Sequence, residues 1–234
     1  MFLKKIYKLL KILISFNYDW YRALIIYKVA PSTEHINVFK NIDNINTIID
    51  VGANRGQFAL LASFFFPKSK LICFEPIQSA YINLKNLFYY RENFHAHNFA
   101  IGNEIKEAEI NISNKEDSSS LLEITKQQET VFPGTEKKAS EKIKLSKLEN
   151  LIKIEDCQKD ILMKIDVQGY ELEVLKGSKE LIKSMKYIYF EGSFVELYKN
   201  QPMITEILNF LISSNFILEG IYNTSYDKNG NPVQ

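Results

Sequence analysis

From Thr47 onward, short β-branched or apolar runs alternate with longer stretches whose apolar residues recur at helical spacing. The first kind reads as buried strand and the second as amphipathic helix. Thr47–Val51 is a first strand, and Arg55–Phe66 a first helix ended by Pro67. Lys70–Phe74 is a second strand, after which Ile77, Tyr81, Leu84 and Phe88 fall on one helical face. Phe94–Phe99 is a third strand, Ile161–Ile165 a fourth and Tyr187–Phe190 a fifth. Between the last two lies a helix carrying Leu172 and Leu175, with Gly177 as its stop. Ile204, Ile207, Leu208 and Leu211 mark a further helix, and Phe216–Tyr222 a sixth strand. Strands alternating with helices predict an α/β fold, a doubly wound Rossmann-like parallel sheet covered on both faces.

Residues 105–146 break this rhythm. Ala108–Ser113 and Lys142–Leu145 read as strands flanking the polar segment Asn114–Glu141, expected to be a mobile excursion over the site. Before Thr47 the pattern is helical, and we expect residues 1–45 to form a helical extension and 46–234 the main domain. Tyr18–Phe39 is a helical segment broken at Pro31, and Asn41–Asn46 a linker. Over Met1–Phe16, Lys4, Lys5, Lys8 and Lys11 share one helical face, opposite Leu3, Ile6, Leu9, Leu10, Leu13 and Ile14. Two readings stand. This helix either packs on its own domain or lies on an anionic membrane surface.

Composition narrows the function. Hydrophobic residues at 46% suffice for a core, and a net charge of +1 argues against a nucleic-acid partner. Cys73 and Cys157 have no metal-ligand spacing, and with no secretory signal they point to a cytoplasmic protein. His95 and His97 alternate on one strand without an evident third ligand, so no metal site is expected.

Asp50, Glu75, Asp166 and Glu191 fall at or just inside strand ends. In a doubly wound sheet those ends form one rim, where ligands bind. The first strand leads into Gly52-Ala53-Asn54-Arg55-Gly56, a tight turn opening a helix. Such turns bring backbone N–H groups close to nucleotide-type cofactors. Glu75, 19 residues past Gly56, suits the two hydroxyls of an adenosine ribose. Asn54 replaces the middle glycine of the dinucleotide fingerprint, and Asn tolerates positive φ. Asp50 suits an amino-acid ammonium better than a pyrophosphate. These features favour S-adenosylmethionine over NAD. The candidate cofactor-binding set is Asp50, Gly52, Asn54, Gly56, Phe58, Glu75, Pro76, Ala100 and Ile101.

The ordered motifs carry a resemblance. Ile49-Asp50-Val51-Gly52-Ala53-Asn54-Arg55-Gly56-Gln57-Phe58, then Phe74-Glu75-Pro76, then Lys164-Ile165-Asp166-Val167-Gln168-Gly169-Tyr170-Glu171 resemble the motifs of the FkbM-type methyltransferases. Ser118-Ser119-Ser120-Leu121 and Leu145–Leu151 fit the segments between them. That resemblance implies a class I methyltransferase fold and S-adenosylmethionine-dependent O-methylation, often of sugar hydroxyls in glycans or natural products. It also implies a seventh, antiparallel edge strand after a turn like Asp227–Pro232, where this sequence stops at Gln234.

Asp166, Glu191 and His97 are the candidate bases for the acceptor hydroxyl. Tyr170 is a candidate for stacking on a sugar ring or adenine, and Glu171 for a first-turn helix residue. The expected partner is a small-molecule or glycan acceptor. Two other functions fit the same pattern: a non-catalytic binding module in a glycan-biosynthesis assembly, and an NAD-dependent enzyme.

Overall fold

The computed structural model describes Ile12, Ile14, Ser15 and residues 17–234. Apart from those first three residues, the helix expected over Met1–Phe16 lies outside the described residues.

The strands are β1 (Thr47–Val51), β2 (Lys70–Phe74), β3 (Phe94–His97), β4 (Ala100–Ile101), β5 (Lys106–Ser113), β6 (Lys137–Ser146), β7 (Ile161–Ile165) and β8 (Met185–Phe190). One sheet runs in the order β3-β2-β1-β7-β8 with every pair parallel. The order reverses at β1, so the crevice beside β1 and β7 is the topological switch point. Side chains alternate across this sheet. Ile48, Leu71, Cys73 and Leu162 join one core, while Ile49, Val51, Ile72, Phe74, Met163 and Ile165 join another on the opposite face. All five residues of β1 are buried, as a strand covered on both faces requires.

The helices are α1 (Tyr18–Arg22), α2 (Ile36–Phe39), α3 (Gln57–Phe65), α4 (Gln78–Leu87), α5 (Lys126–Val131), α6 (Glu171–Lys176), α7 (Lys179–Ile182) and α8 (Ile204–Ser213). Apolar side chains of α3 and α4 fill the first core, and those of α6, α7 and α8 the second.

The N-terminal segment departs from a simple helix. Asn17 caps α1 by accepting the Trp20 N–H at 2.9 Å, and the next turn, Ala23–Tyr27, is a π-helix closed by Lys28 at φ 55°. A 3-10 turn at Thr33–His35 then leads into α2. Trp20 Nε1 donates to the Leu60 carbonyl at 3.4 Å and Arg22 Nη2 to that of Leu87 at 2.5 Å. Trp20 and Ala23 are buried in the same core as α3.

Strand three ends earlier than the alternation suggests. The Asn98 amide turns aside to donate to the Glu75 and Pro76 carbonyls at 3.0 and 2.8 Å, closing the ladder at His97. Ala100–Ile101 instead pair with β6 in a second sheet, ordered β4-β6-β5. The segment between β5 and β6 is an ordered excursion containing α5. It is tied down by Ser120 Oγ donating to the Gln168 carbonyl at 2.5 Å and by Asn111 Nδ2 donating to that of Leu122 at 2.8 Å.

Phe216–Tyr222 does not form a strand. It faces β8 across a groove of ≈ 560 Å³ that both segments line. Among the described residues no neighbour offers it a ladder, so its alternation has nothing to pair with.

Candidate cofactor and catalytic site

The turn after β1 owes its shape to three left-handed residues: Gly52 at φ 78°, Asn54 at φ 48° and Gly56 at φ 94°. Gly52 is irreplaceable on contact grounds as well, because a Cβ there would lie 1.9 Å from the Asp166 carbonyl oxygen. Asn54 does stand in the left-handed region, and its Oδ1 accepts the Arg55 N–H at 2.7 Å. Gly56 has a different part from the one its motif suggests. A Cβ on it would meet Leu84 Cδ1 at 2.9 Å and Phe88 at 3.0 Å, so it lets α4 close against α3 and does not line the cleft.

The turn's amides do not point at a ligand. The Gly52 and Ala53 N–H groups both donate to the Phe74 carbonyl at 3.0 Å, and Gly56 N–H to that of Ala53 at 2.9 Å. Asn54 N–H donates to Glu75 Oε2 at 2.8 Å. With Arg55 N–H on its neighbour's side chain, every amide from Gly52 to Gly56 has an internal acceptor. A pyrophosphate would find no free donors in this turn.

Asp50 lies beneath the turn, fully buried and outside the cleft. Its cation is internal. Lys164, its register partner on β7, brings Nζ to 3.2 Å from Asp50 Oδ1. The same ammonium donates to the Gly52 carbonyl at 2.9 Å and lies 3.4 Å from Asp166 Oδ2. Burial alone would depress the Lys164 pKa, but Asp50 and Asp166 outweigh it and hold the lysine charged. Burial raises the Asp50 pKa against the pull of Lys164. Among the described residues neither Asp50 oxygen has a well-aligned hydrogen bond, so the lysine is its main compensation. The ammonium expected at Asp50 thus comes from the protein.

Above this pair opens a cleft of ≈ 260 Å³. Val51, Gly52, Ala53, Asn54 and Phe58 form its floor side, and Phe74, Glu75, Pro76 and Ile77 follow from the end of β2. Phe99, Ala100, Ile101, Ile110 and Leu121 give an apolar wall, with Tyr170 beside them. Its ionisable lining comprises Glu34, Glu75, Glu116, Asp117 and Asp166 against Lys164 and His35, so the cleft attracts cations. Glu75 is buried; Oε2 accepts from Asn54 and Oε1 from Ile77 N–H, each at 2.8 Å. Each oxygen keeps a further acceptor site. Burial lifts its pKa to about 7 despite those two bonds, which favour the charged form.

At the end of β7, Asp166 is 35% exposed and lines both the cleft and the groove beside β8. Glu191, at the end of β8, lines only that groove. Gln168, left-handed at φ 56°, joins them: its Nε2 donates to Asp166 Oδ1 at 2.8 Å and to Glu191 Oε2 at 2.5 Å. Its Oε1 accepts from Tyr198 OH at 2.6 Å. Burial and the nearby Asp166 charge push Glu191 well up, so it keeps its proton. Burial also opposes ionisation of Asp166, but Lys164 and the hydrogen bonds from Gln168 and Glu191 prevail and lower its pKa. Asp166 is therefore the anion of the pair. Glu171 points inward, accepting the Val167 and Gly169 N–H groups at 3.2 and 3.1 Å, and burial raises it to about 7.

His97 stands apart. It stacks on Phe74 at 4.9 Å between centroids and does not line the cleft, and burial, then His95, lowers its pKa. The structure thus brings Gly52, Asn54, Phe58, Glu75, Pro76, Ala100, Ile101 and Asp166 together, with Glu191 one side chain away. Asp50, Gly56 and His97 serve from outside. Lys164, Gln168, Ser32 and His35 were missed as site residues. A lysine inside the apolar run Ile161–Ile165, opposite an aspartate on another buried strand, is a signal for the first. Ser32 and His35 come from a segment remote in sequence with no motif.

This is a class I methyltransferase-type α/β fold, with its cleft at the switch point of the sheet. The chain belongs to the family described as the Methyltransferase FkbM domain, whose model matches residues 50–218. It is similar to 2-O-methyltransferase NoeI of Sinorhizobium fredii (strain NBRC 101917 / NGR234), 25% identical over 178 residues, which cover 74% of this chain and 73% of that protein. Among solved structures, the precorrin-6y C5,15-methyltransferase from Geobacter metallireducens GS-15 aligns with a TM-score of 0.44 and 10% identity, over 89% of this chain and 92% of that one.

Proposed function

We propose that this methyltransferase takes its methyl group from S-adenosylmethionine and passes it to a sugar hydroxyl. The observation that carries the cofactor reading is the acidic cleft above a glycine turn whose amides are all internally bonded. The donor set fits. Glu75 has acceptor sites left for two ribose hydroxyls, Ile77, Ala100 and Ile101 offer an apolar wall for adenine, and the surrounding carboxylates favour a ligand bearing sulfonium and ammonium charges. The same carboxylates oppose a pyrophosphate, which weighs against NAD.

When bound, S-adenosylmethionine supplies a methyl group already activated by its sulfonium. The protein's remaining work is alignment, exclusion of water and removal of the hydroxyl proton. Asp166 is suited to that proton: it is ionised, partly exposed and reaches both cavities. Gln168 holds its orientation, while Lys164 keeps it charged. Oxygen as the acceptor atom is supported by the relative NoeI, named a 2-O-methyltransferase, and a sugar acceptor by the motif resemblance. Tyr170 offers an aromatic face at the rim for a sugar ring.

Calorimetric titration with S-adenosylmethionine and, separately, NAD tests the cofactor reading. Saturable binding of the first with none of the second is expected. Binding of NAD alone would overturn it.

A further inference from the structure

The helical segment packed on α3 and α4 carries an unusual outer side. Between residues 17 and 30, the exposed positions are Tyr18, Ile25, Ile26 and Lys28. Tyr18 and Ile25 are each 76% exposed and Ile26 64%. A surface helix normally turns polar residues outward; here the solvent-facing positions are apolar or aromatic, with one lysine. Tyr18 and Arg22 lie one turn apart on α1, and Ile25 and Ile26 belong to the π-turn that continues it. The opposite side, with Trp20 and Ala23, is already used by the core.

The patch continues onto the loop after α4. The Arg22 guanidinium sits 4.1 Å from the Tyr90 ring centroid and 5.8 Å from that of Tyr89, a residue 75% exposed. Arginine and tyrosine beside exposed isoleucines are the residue types that sit at a lipid–water boundary. The charge is one-sided as well. Residues 1–28 include Lys4, Lys5, Lys8, Lys11, Arg22 and Lys28 against Asp19 alone, in a chain whose net charge is +1. Among the described residues no helix is long and apolar enough to cross a membrane.

We propose that this face docks on an anionic membrane surface, with Tyr18, Ile25 and Ile26 entering the headgroup boundary and the cationic side chains pairing with lipid phosphates. The segment runs on into Ser32 and His35, which line the cleft, so docking sets the height of the cleft above the bilayer. The proposal does not depend on which cofactor the cleft takes.

Sedimentation of the full chain with phosphatidylcholine vesicles, with and without phosphatidylglycerol, tests it. Binding to the phosphatidylglycerol vesicles is expected, weakening as salt is raised. Replacing Ile25→Asp together with Ile26→Asp is expected to weaken it at least about tenfold. Both side chains are exposed, so the circular dichroism spectrum should not change. Should that pair disturb folding, Lys4, Lys5, Lys8 and Lys11→Gln gives an independent variant, expected to lose the preference for anionic lipid. No sedimentation with anionic vesicles overturns the proposal, as does wild-type binding by the folded isoleucine variant. A dimer abolished by the isoleucine substitutions, without vesicle binding, would assign the face to a protein contact instead.

Discussion

Replacing Lys164→Met should be the most informative perturbation of the site. It removes the cation that lies 3.2 Å from Asp50, a carboxylate that is 0% exposed. At that separation, an effective dielectric of about 20 gives an attraction of about 5 kcal/mol. Breaking one partner of a buried pair typically costs about 3–5 kcal/mol, because the other charge is left uncompensated. For a domain of this size that is a fall in Tm of roughly 6–20 °C. Urea denaturation at neutral pH measures the loss. In the variant Asp50 retains a proton on folding, and its folded pKa rises further above the unfolded value of about 3.9. The deficit should therefore be largest at neutral pH and shrink as pH falls toward that value. Adding Asp50→Asn to Lys164→Met should recover much of the loss. A loss below about 1 kcal/mol, or strictly additive effects in the double variant, would mean that Lys164 does not compensate the buried Asp50 charge.

Four further outcomes follow from the same geometry. S-adenosylmethionine affinity should rise as pH climbs through about 7, where Glu75 ionises and can accept ribose hydroxyls; calorimetry on Glu75→Gln should show the slope removed. Glu171, with its folded pKa raised to about 7, stabilises the fold below its unfolded pKa, a contribution lost as pH rises through 7. Glu171→Gln should therefore flatten that decline by up to about 3 kcal/mol in urea titrations. Asp166→Asn should slow methyl transfer by about 10²–10⁴-fold, measured under single-turnover conditions with saturating cofactor. Gly52→Ala, with its Cβ 1.9 Å from the Asp166 carbonyl and φ at 78°, should cost at least about 3 kcal/mol by thermal denaturation.

Much of this architecture was legible because parallel strands buried on both faces announce themselves. Thr47–Val51, Lys70–Phe74 and Ile161–Ile165 are apolar runs with the bounds the structure gives them. The α/β alternation therefore put Glu75 and Asp166 on one rim, while the strand order, and with it the switch point at β1, is seen only in the fold. Where the fold departs from this pattern, a tertiary contact decides the matter. Asn98 turned its amide onto Glu75 and Pro76 and cut β3 short. Phe216–Tyr222 has strand composition, but a groove separates it from β8. Asp50 looked like a ligand group because its partner lies 114 residues away in sequence, on a strand that registers against it. Gly56 sits in a cofactor motif, yet its neighbours are Leu84 and Phe88 of a packing helix. His35 reached the cleft from the N-terminal extension, which no motif marked.

We propose above that the acidic cleft beside Glu75 holds the methyl donor. A crystal structure with S-adenosylhomocysteine tests this most directly. Both ribose hydroxyls should lie on the Glu75 carboxylate, with adenine against Ile77, Ala100 and Ile101 and the sulfur turned toward Asp166. Ligand density elsewhere, or a ribose that makes no contact with Glu75, would contradict it.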